Sequence, residues 1–215
     1  IAPLLLAIIF IMSTQTNAEG FDFIQNLLSN GKYSVAEKQY IQNLESNKTA
    51  VNYYFAGKIS LILHKTTEAK NFFEAGANLD KDNLLNNVGL GAIALSQGDT
   101  SKTHKIFNDI IEKDEFNTIE LVLEMADAYF YNSKTDFNYI ISLVNKAAAK
   151  KEHAKNPNLF LKLGLLYSLS GNSSIALEQF KKSNYLDKSF IQPYVEIAKI
   201  YNKIKDYQSV QSFLS

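Results

Sequence analysis

Histidine is the side chain that most readily does acid–base or metal chemistry near neutral pH. This chain has three, His64, His104 and His153. They are widely dispersed, and none has a carboxylate or second histidine at the short helical spacing of a zinc site. The pattern predicts solvated or capping histidines. Cysteine is absent, which excludes thiolate nucleophiles, disulfides, cysteine zinc sites and lipidation on cysteine. Glu112, Asp114, Glu115 and Glu120 form an acidic turn without the spacing or central glycine of an EF-hand; a solvated loop is expected. Gly89 and Gly91 lie inside a helical pattern rather than between a strand and a helix, so their spacing reads as packing and not as a phosphate cradle. Neither a catalytic set, a cofactor site nor a metal site is assigned, and the expectation is a protein that is not an enzyme.

Two further motifs have plain readings beside sharper ones. Lys146 to Lys155, KAAAKKEHAK, suits a helix end, where lysines complement the dipole; the sharper reading is a surface for anions. Asn47-Lys48-Thr49 and Asn172-Ser173-Ser174 match glycosylation acceptors, which have meaning only in a eukaryotic secretory pathway.

Composition narrows the partners. The 215 residues carry 22 basic and 22 acidic side chains, and 46% are hydrophobic. Every basic residue is lysine, so the planar fork that grips phosphate or guanine is missing. With zero net charge, this argues against nucleic acid as a partner. Abundant lysine, asparagine and isoleucine without arginine suggest an AT-rich, bacterial source.

The elements that must position any site are helices. No segment alternates with strand period, and two of the three prolines, Pro157 and Pro193, fall near expected helix starts. The most informative stretch is Pro157 to Phe190, two amphipathic helices joined at Gly171-Asn172. Phe160, Leu163, Gly164 and Tyr167 mark its first helix, and Ala176, Phe180 and Leu186 its second. Gly164 permits close approach, Ala176 keeps the facing surface small, and Phe160, Tyr167 and Phe180 fill the space between. A small residue recurs at Gly57, Gly91, Ala126, Gly164 and Ala198, at steps of about 34 residues.

This order of residues resembles the tetratricopeptide repeat, a helix–turn–helix unit, with Phe160 in its tryptophan slot. The resemblance implies an all-α fold, a right-handed α-solenoid of antiparallel helix pairs with five to six repeats. The units fall at about 20–49, 50–83, 84–118, 119–156, 157–190 and 191–215. In the unit from Leu84, Asn87 takes the tryptophan slot and Thr103 the alanine slot, so looser packing is expected. The unit from Ile119 is longer than the others, with its extra residues placed near Tyr131–Thr135 and after Lys151. The unit from Ile191 still bears Val210, Phe213 and Leu214 at its end, which reads either as a short cap or as a truncated repeat.

The family's concave face is lined by the first helix of each pair and commonly receives an extended peptide or a helix. By that register the groove-facing residues are Tyr54, Lys58, Leu61, Val88, Ala92, Leu95, Leu123, Asp127, Phe130, Leu161, Leu165, Val195 and Lys199. Only Lys58 and Lys199 are basic among them, which disfavours a carboxylate clamp and favours an apolar or amphipathic segment. The alternative for each apolar position is core packing.

The amino-terminal stretch has a separate reading. Ile1–Met12 is almost wholly apolar, Ser13–Asn17 is polar, and Thr16 and Ala18 precede Glu19 as at a signal-peptidase site. The run is short of the roughly 20 apolar residues of a membrane span. Residues 1–18 are therefore read as a signal peptide, with a mature solenoid from residue 19, exported to the periplasm or secreted. Membrane contact is expected only through that segment if it is left uncleaved, as an anchor. The function expected is a scaffold for a protein or peptide partner. The second reading is the adaptor portion of a longer envelope enzyme or signalling protein.

Overall fold

In a computed structural model, residues 31–130 and 136–203 are described. The signal segment, the start of the first unit, Tyr131–Thr135 and the terminal Val210, Phe213 and Leu214 lie outside them. The described residues are all-α, and the chain divides between Lys81 and Asp82 into two compact units. No described helix is long and apolar enough to cross a membrane.

The first unit holds α1 (Tyr33–Ser46), α2 (Ala50–Ile62) and α3 (Thr66–Leu79). Helix α2 starts at Thr49, whose hydroxyl accepts from the Asn52 backbone N–H at 3.1 Å and so satisfies a first-turn donor. Its core is made of Ala36, Tyr40, Phe55, Ile59, Ala69 and Phe73, all buried. The Tyr40 and Phe55 rings stack with centroids 5.5 Å apart. Lys65 and Glu37 pair at 2.5 Å on the exposed side of this unit.

The second unit holds α4 (Leu85–Ser96), α5 (Thr100–Asp114), α6 (Ile119–Phe130), α7 (Asn138–Ala149), α8 (Pro157–Leu169), α9 (Ser173–Leu186) and α10 (Ile191–Lys203). Asp99 caps α5 by accepting from Lys102 N–H at 2.9 Å. Asn156 caps α8, whose first helical residue is Pro157, where the missing N–H costs nothing. One apolar cluster runs from Val88 and Leu95 through Phe107, Met125, Tyr129, Ile140 and Val144 to Phe160 and Leu166. Leu161, Ala176, Phe180 and Ile197 form a second cluster where α8, α9 and α10 meet.

The recurring glycine has a direct physical cause. A Cβ on Gly57 would lie 2.5 Å from the Phe73 ring, and one on Gly91 or Gly164 would strike Phe107 or Phe180 more closely still. Each phenylalanine ring thus approaches a helix backbone that only glycine leaves open. The unit from Ile119 carries Ala126 instead, and the buried residues of its second helix, α7, are Ile140, Ile141, Leu143, Val144 and Ala147. With no phenylalanine inside that helix, a methyl group fits.

Thr103 bears on the expectation of looser packing in the unit from Leu84. It is fully buried in the alanine slot, and its hydroxyl lies 3.2 Å from the Gly91 carbonyl and 3.0 Å from the Asp99 carbonyl. Its extra oxygen is satisfied and Phe107 beside it is wholly buried, although α4 and α5 meet less extensively than α2 and α3 or α8 and α9.

Candidate partner-binding face

Residues at i, i+4 and i+7 of a helix share one stripe. On α6 this places Leu123, Asp127 and Phe130 together, on α8 Leu161 and Leu165, and on α10 Val195 and Lys199. In the second unit Leu123, Asp127, Phe130 and Leu165 are half-buried, while Val195 is 41% exposed and Lys199 is exposed. Leu123 and Phe130 rest on the larger apolar cluster, and Leu165 on the smaller.

Several expected groove residues are instead core. Val88, Leu95 and Leu161 are buried. The reason is helix proximity. Val88 and Leu95 belong to the cluster that α6 supplies with Leu121, Val122 and Met125, and Leu161 packs in the cluster containing Ile197 of α10. Within the second unit α4 lies against α6 and α6 against α8, so these positions meet a neighbour before they meet solvent. Ala92 is half-buried.

In the first unit Tyr54 and Lys58 are likewise buried and Leu61 half-buried. Tyr54 lies 5.8 Å from Phe73, centroid to centroid. Burial pushes the Tyr40 hydroxyl well above its ordinary pKa, with the nearby Lys58 ammonium pulling partly back. Lys58 is therefore a core cation, not one presented to a ligand.

Lys162 was missed as a member of this face. It is one residue off the expected stripe, but its long stem carries the ammonium from α8 to the Asp127 carboxylate on α6. The same ammonium lies 5.1 Å from the centre of the Phe130 ring. Asp127 and Lys162 are both mostly covered, at 17% and 20% side-chain exposure. On α10, Glu196 accepts from Lys199 at 2.9 Å and from Gln192 at 2.7 Å. Acidic and basic groups on this face are thus matched within the protein.

The histidines have structural surroundings of three kinds. His64 occupies a left-handed turn with φ of 61°, the place that Gly98 and Gly171 hold after α4 and α8. The His104 ring stacks on Tyr139 at 3.7 Å, and Tyr139 donates to Asn108 at 2.9 Å. Burial pushes the Tyr139 hydroxyl up to about 12. His153 departs furthest from the solvated reading. It is buried, and its Nε2 lies 2.8 Å from the Phe116 carbonyl.

The acidic and basic motifs meet through that contact. Glu115 and Phe116 both take left-handed backbone, with φ of 52° and 60°. Asp114 accepts from Thr118 N–H at 2.9 Å, and Lys150 donates to Asn117 at 2.9 Å. The α5–α6 turn is therefore not simply a solvated loop, because the longer α7–α8 turn docks on it. Among the described residues, no three His, Asp or Glu side chains gather as a metal site would need.

The arrangement is that of tetratricopeptide-type helix-pair repeats, and comparison with solved structures agrees. A thermophilic TPR protein of Thermus thermophilus, TTC0263, superposes with a TM-score of 0.63 at 16% identity, over 86% of this chain and 98% of that one. Yeast Tom70 gives a TM-score of 0.60 at 16% identity over 81% of this chain, which spans only 37% of that structure. PilF of Pseudomonas aeruginosa gives 0.55 at 15% identity, over 76% of this chain and 72% of its own. At such identities the likeness is one of fold. No family model and no curated protein matches the sequence.

Proposed function

We propose that this chain is a non-catalytic interaction scaffold whose second unit receives a peptide or helix of a protein partner on the face lined by α6, α8 and α10. The observation that carries the reading is the row of Leu123, Phe130, Leu165 and Val195, apolar side chains left partly uncovered on successive first helices. An apolar surface maintained along one face is characteristic of recognition sites that take the apolar side of a partner segment. The fold supports the same use, since helix-pair arrays offer long surfaces for binding.

Export belongs to this proposal. The apolar run Ile1–Met12 and the small residues Thr16 and Ala18 support cleavage before Glu19. Sequencing the amino terminus of the protein after expression in a bacterial host checks it, and a chain beginning upstream of Glu19 would count against cleavage.

Photo-crosslinking tests the face itself. A photoreactive phenylalanine at Leu123 or Leu165 should yield a discrete adduct with a partner, and the same group at the exposed Lys113 should not. Adducts of equal yield at all three positions, or none at the first two, would remove the assignment.

A further inference from the structure

The charges on this face carry information about its ligand. The Lys162 ammonium is engaged by the Asp127 carboxylate and lies over the Phe130 ring. Lys199 is engaged by Glu196, which Gln192 also holds. Glu124, on the same helix as Asp127, is buried, so its carboxylate is not offered to a ligand. Glu120, exposed in the first turn of α6, adds a negative charge at the rim. An incoming carboxylate or phosphate could reach Lys162 only by displacing Asp127, and would then stand beside that displaced carboxylate. Like charges brought together in a partly dry site repel strongly, and an unpaired buried charge is costly. A leucine, isoleucine or phenylalanine entering between Leu123, Leu165 and Val195 meets no such opposition.

Building on the binding role assigned above, we propose that the face takes an uncharged, apolar peptide segment and rejects an anionic one, with the Asp127–Lys162 pair as the specificity-determining element. Asp127 acts by occupying Lys162. It converts the central cation of the face from an anion receptor into a neutral patch, with the lysine stem and the Phe130 ring as its surface.

Two end-capped helical probes test this in fluorescence anisotropy. One bears a leucine stripe flanked by glutamine and alanine; its twin has two flanking glutamines replaced by glutamate. The wild-type chain should bind the neutral probe at least about tenfold more tightly than the acidic one. Asp127→Asn frees Lys162, so the ratio of the two affinities should fall to near parity. Adding Lys162→Gln to that variant should remove the gain. Lys162→Gln alone removes the ammonium beside Asp127 and should weaken the acidic probe further, which keeps the test available if Asp127→Asn folds poorly by circular dichroism. Equal binding of both probes, insensitive to these substitutions, would overturn the charge preference and leave the binding face standing. Failure of the folded wild-type chain to bind either probe would instead remove the binding face itself.

Discussion

The unit from Pro157 and the unit from Ile119 solve one packing problem in two ways. In the first, Gly164 lies under the Phe180 ring, and a short turn from Leu169 to Ser173 links the helices. In the second, Ala126 faces a helix whose buried side chains are aliphatic, and the connection from Ala149 to Pro157 is longer than that from Leu186 to Ile191. Glycine is therefore not a fixed demand of the fold. It is required where an aromatic ring must lie on the backbone of the facing helix, and relaxed where Ile140 and Val144 leave room for a methyl group. The longer unit in turn gains a contact the compact one lacks, with His153 docked on the Phe116 carbonyl.

The strongest way to break this comparison is to add volume at the glycine. Gly164→Leu must push Phe180 off the helix, and should cost about 3 kcal/mol, the upper range for overpacking, with loss spreading to adjoining repeats. An unchanged thermal midpoint would refute the glycine–ring pairing. Gly164→Ala sharpens the test. It should cost about 2 kcal/mol alone, and appreciably less once Phe180→Leu has removed the ring. A double-mutant cycle from urea unfolding reads the coupling, and strict additivity would mean that the ring is not what forbids the methyl.

His153 tests the other half of the comparison. His153→Leu keeps the volume but leaves the Phe116 carbonyl without its side-chain donor at a turn with two consecutive left-handed residues. The expected loss is about 2 kcal/mol, the usual cost of orphaning a buried polar group, measured by chemical unfolding. A loss indistinguishable from zero would show that the longer turn is held by Lys150 and Asn117 instead.

The short turns make the next comparison. Gly98 and Gly171 adopt φ of 81° and 85°, and a Cβ on either would meet nothing within 4 Å. Their requirement is conformational, not steric crowding by neighbours. His64 performs the same turn at φ of 61° with a full side chain, a conformation that costs L-residues about 1–2 kcal/mol. His64→Gly should raise stability by about 1 kcal/mol in denaturant titration, and Gly171→His should lower it by a similar amount.

These cases show what the sequence could convey. The small-residue period and the ring some four turns of chain further on reveal the helix pairs, because a close helix crossing leaves a one-residue signature. The left-handed role of His64 was open to the same logic, since it stands where Gly98 and Gly171 stand in their repeats. The face was legible only in part. Register puts Leu123, Asp127, Phe130 and Leu165 on helix positions that are half-buried, but it gives no distance between neighbouring first helices, and that distance decides whether Val88 or Leu161 meets solvent or a neighbour. Lys162 was hidden for a related reason. A lysine is assigned to a face by its Cα, while its charge acts several ångströms away at the end of a flexible stem. The His153 contact joins residues 37 apart in sequence, and no local pattern announces it.

The smallest effect concerns the turn after α9, which ends on Asp187. Its carboxylate accepts from the Ser189 hydroxyl at 2.6 Å and from the Ser189 backbone N–H at 2.9 Å. Those bonds hold its pKa below the usual aspartate value of 3.8, the side-chain bond most strongly. A group depressed in this way contributes stability above its ordinary pKa, and the contribution fades as pH falls from there through its folded value. The Ser189 amide resonance should therefore titrate with a midpoint below 3.8, and Asp187→Asn should abolish that titration while leaving the global unfolding midpoint almost unmoved. The α5–α6 turn supplies the contrast, since Asp114 holds the Thr118 amide there beneath the docked His153 loop. Asp187→Asn should loosen its own turn, read as faster Ser189 amide exchange, whereas the α5–α6 turn is also fastened by the chain packed upon it.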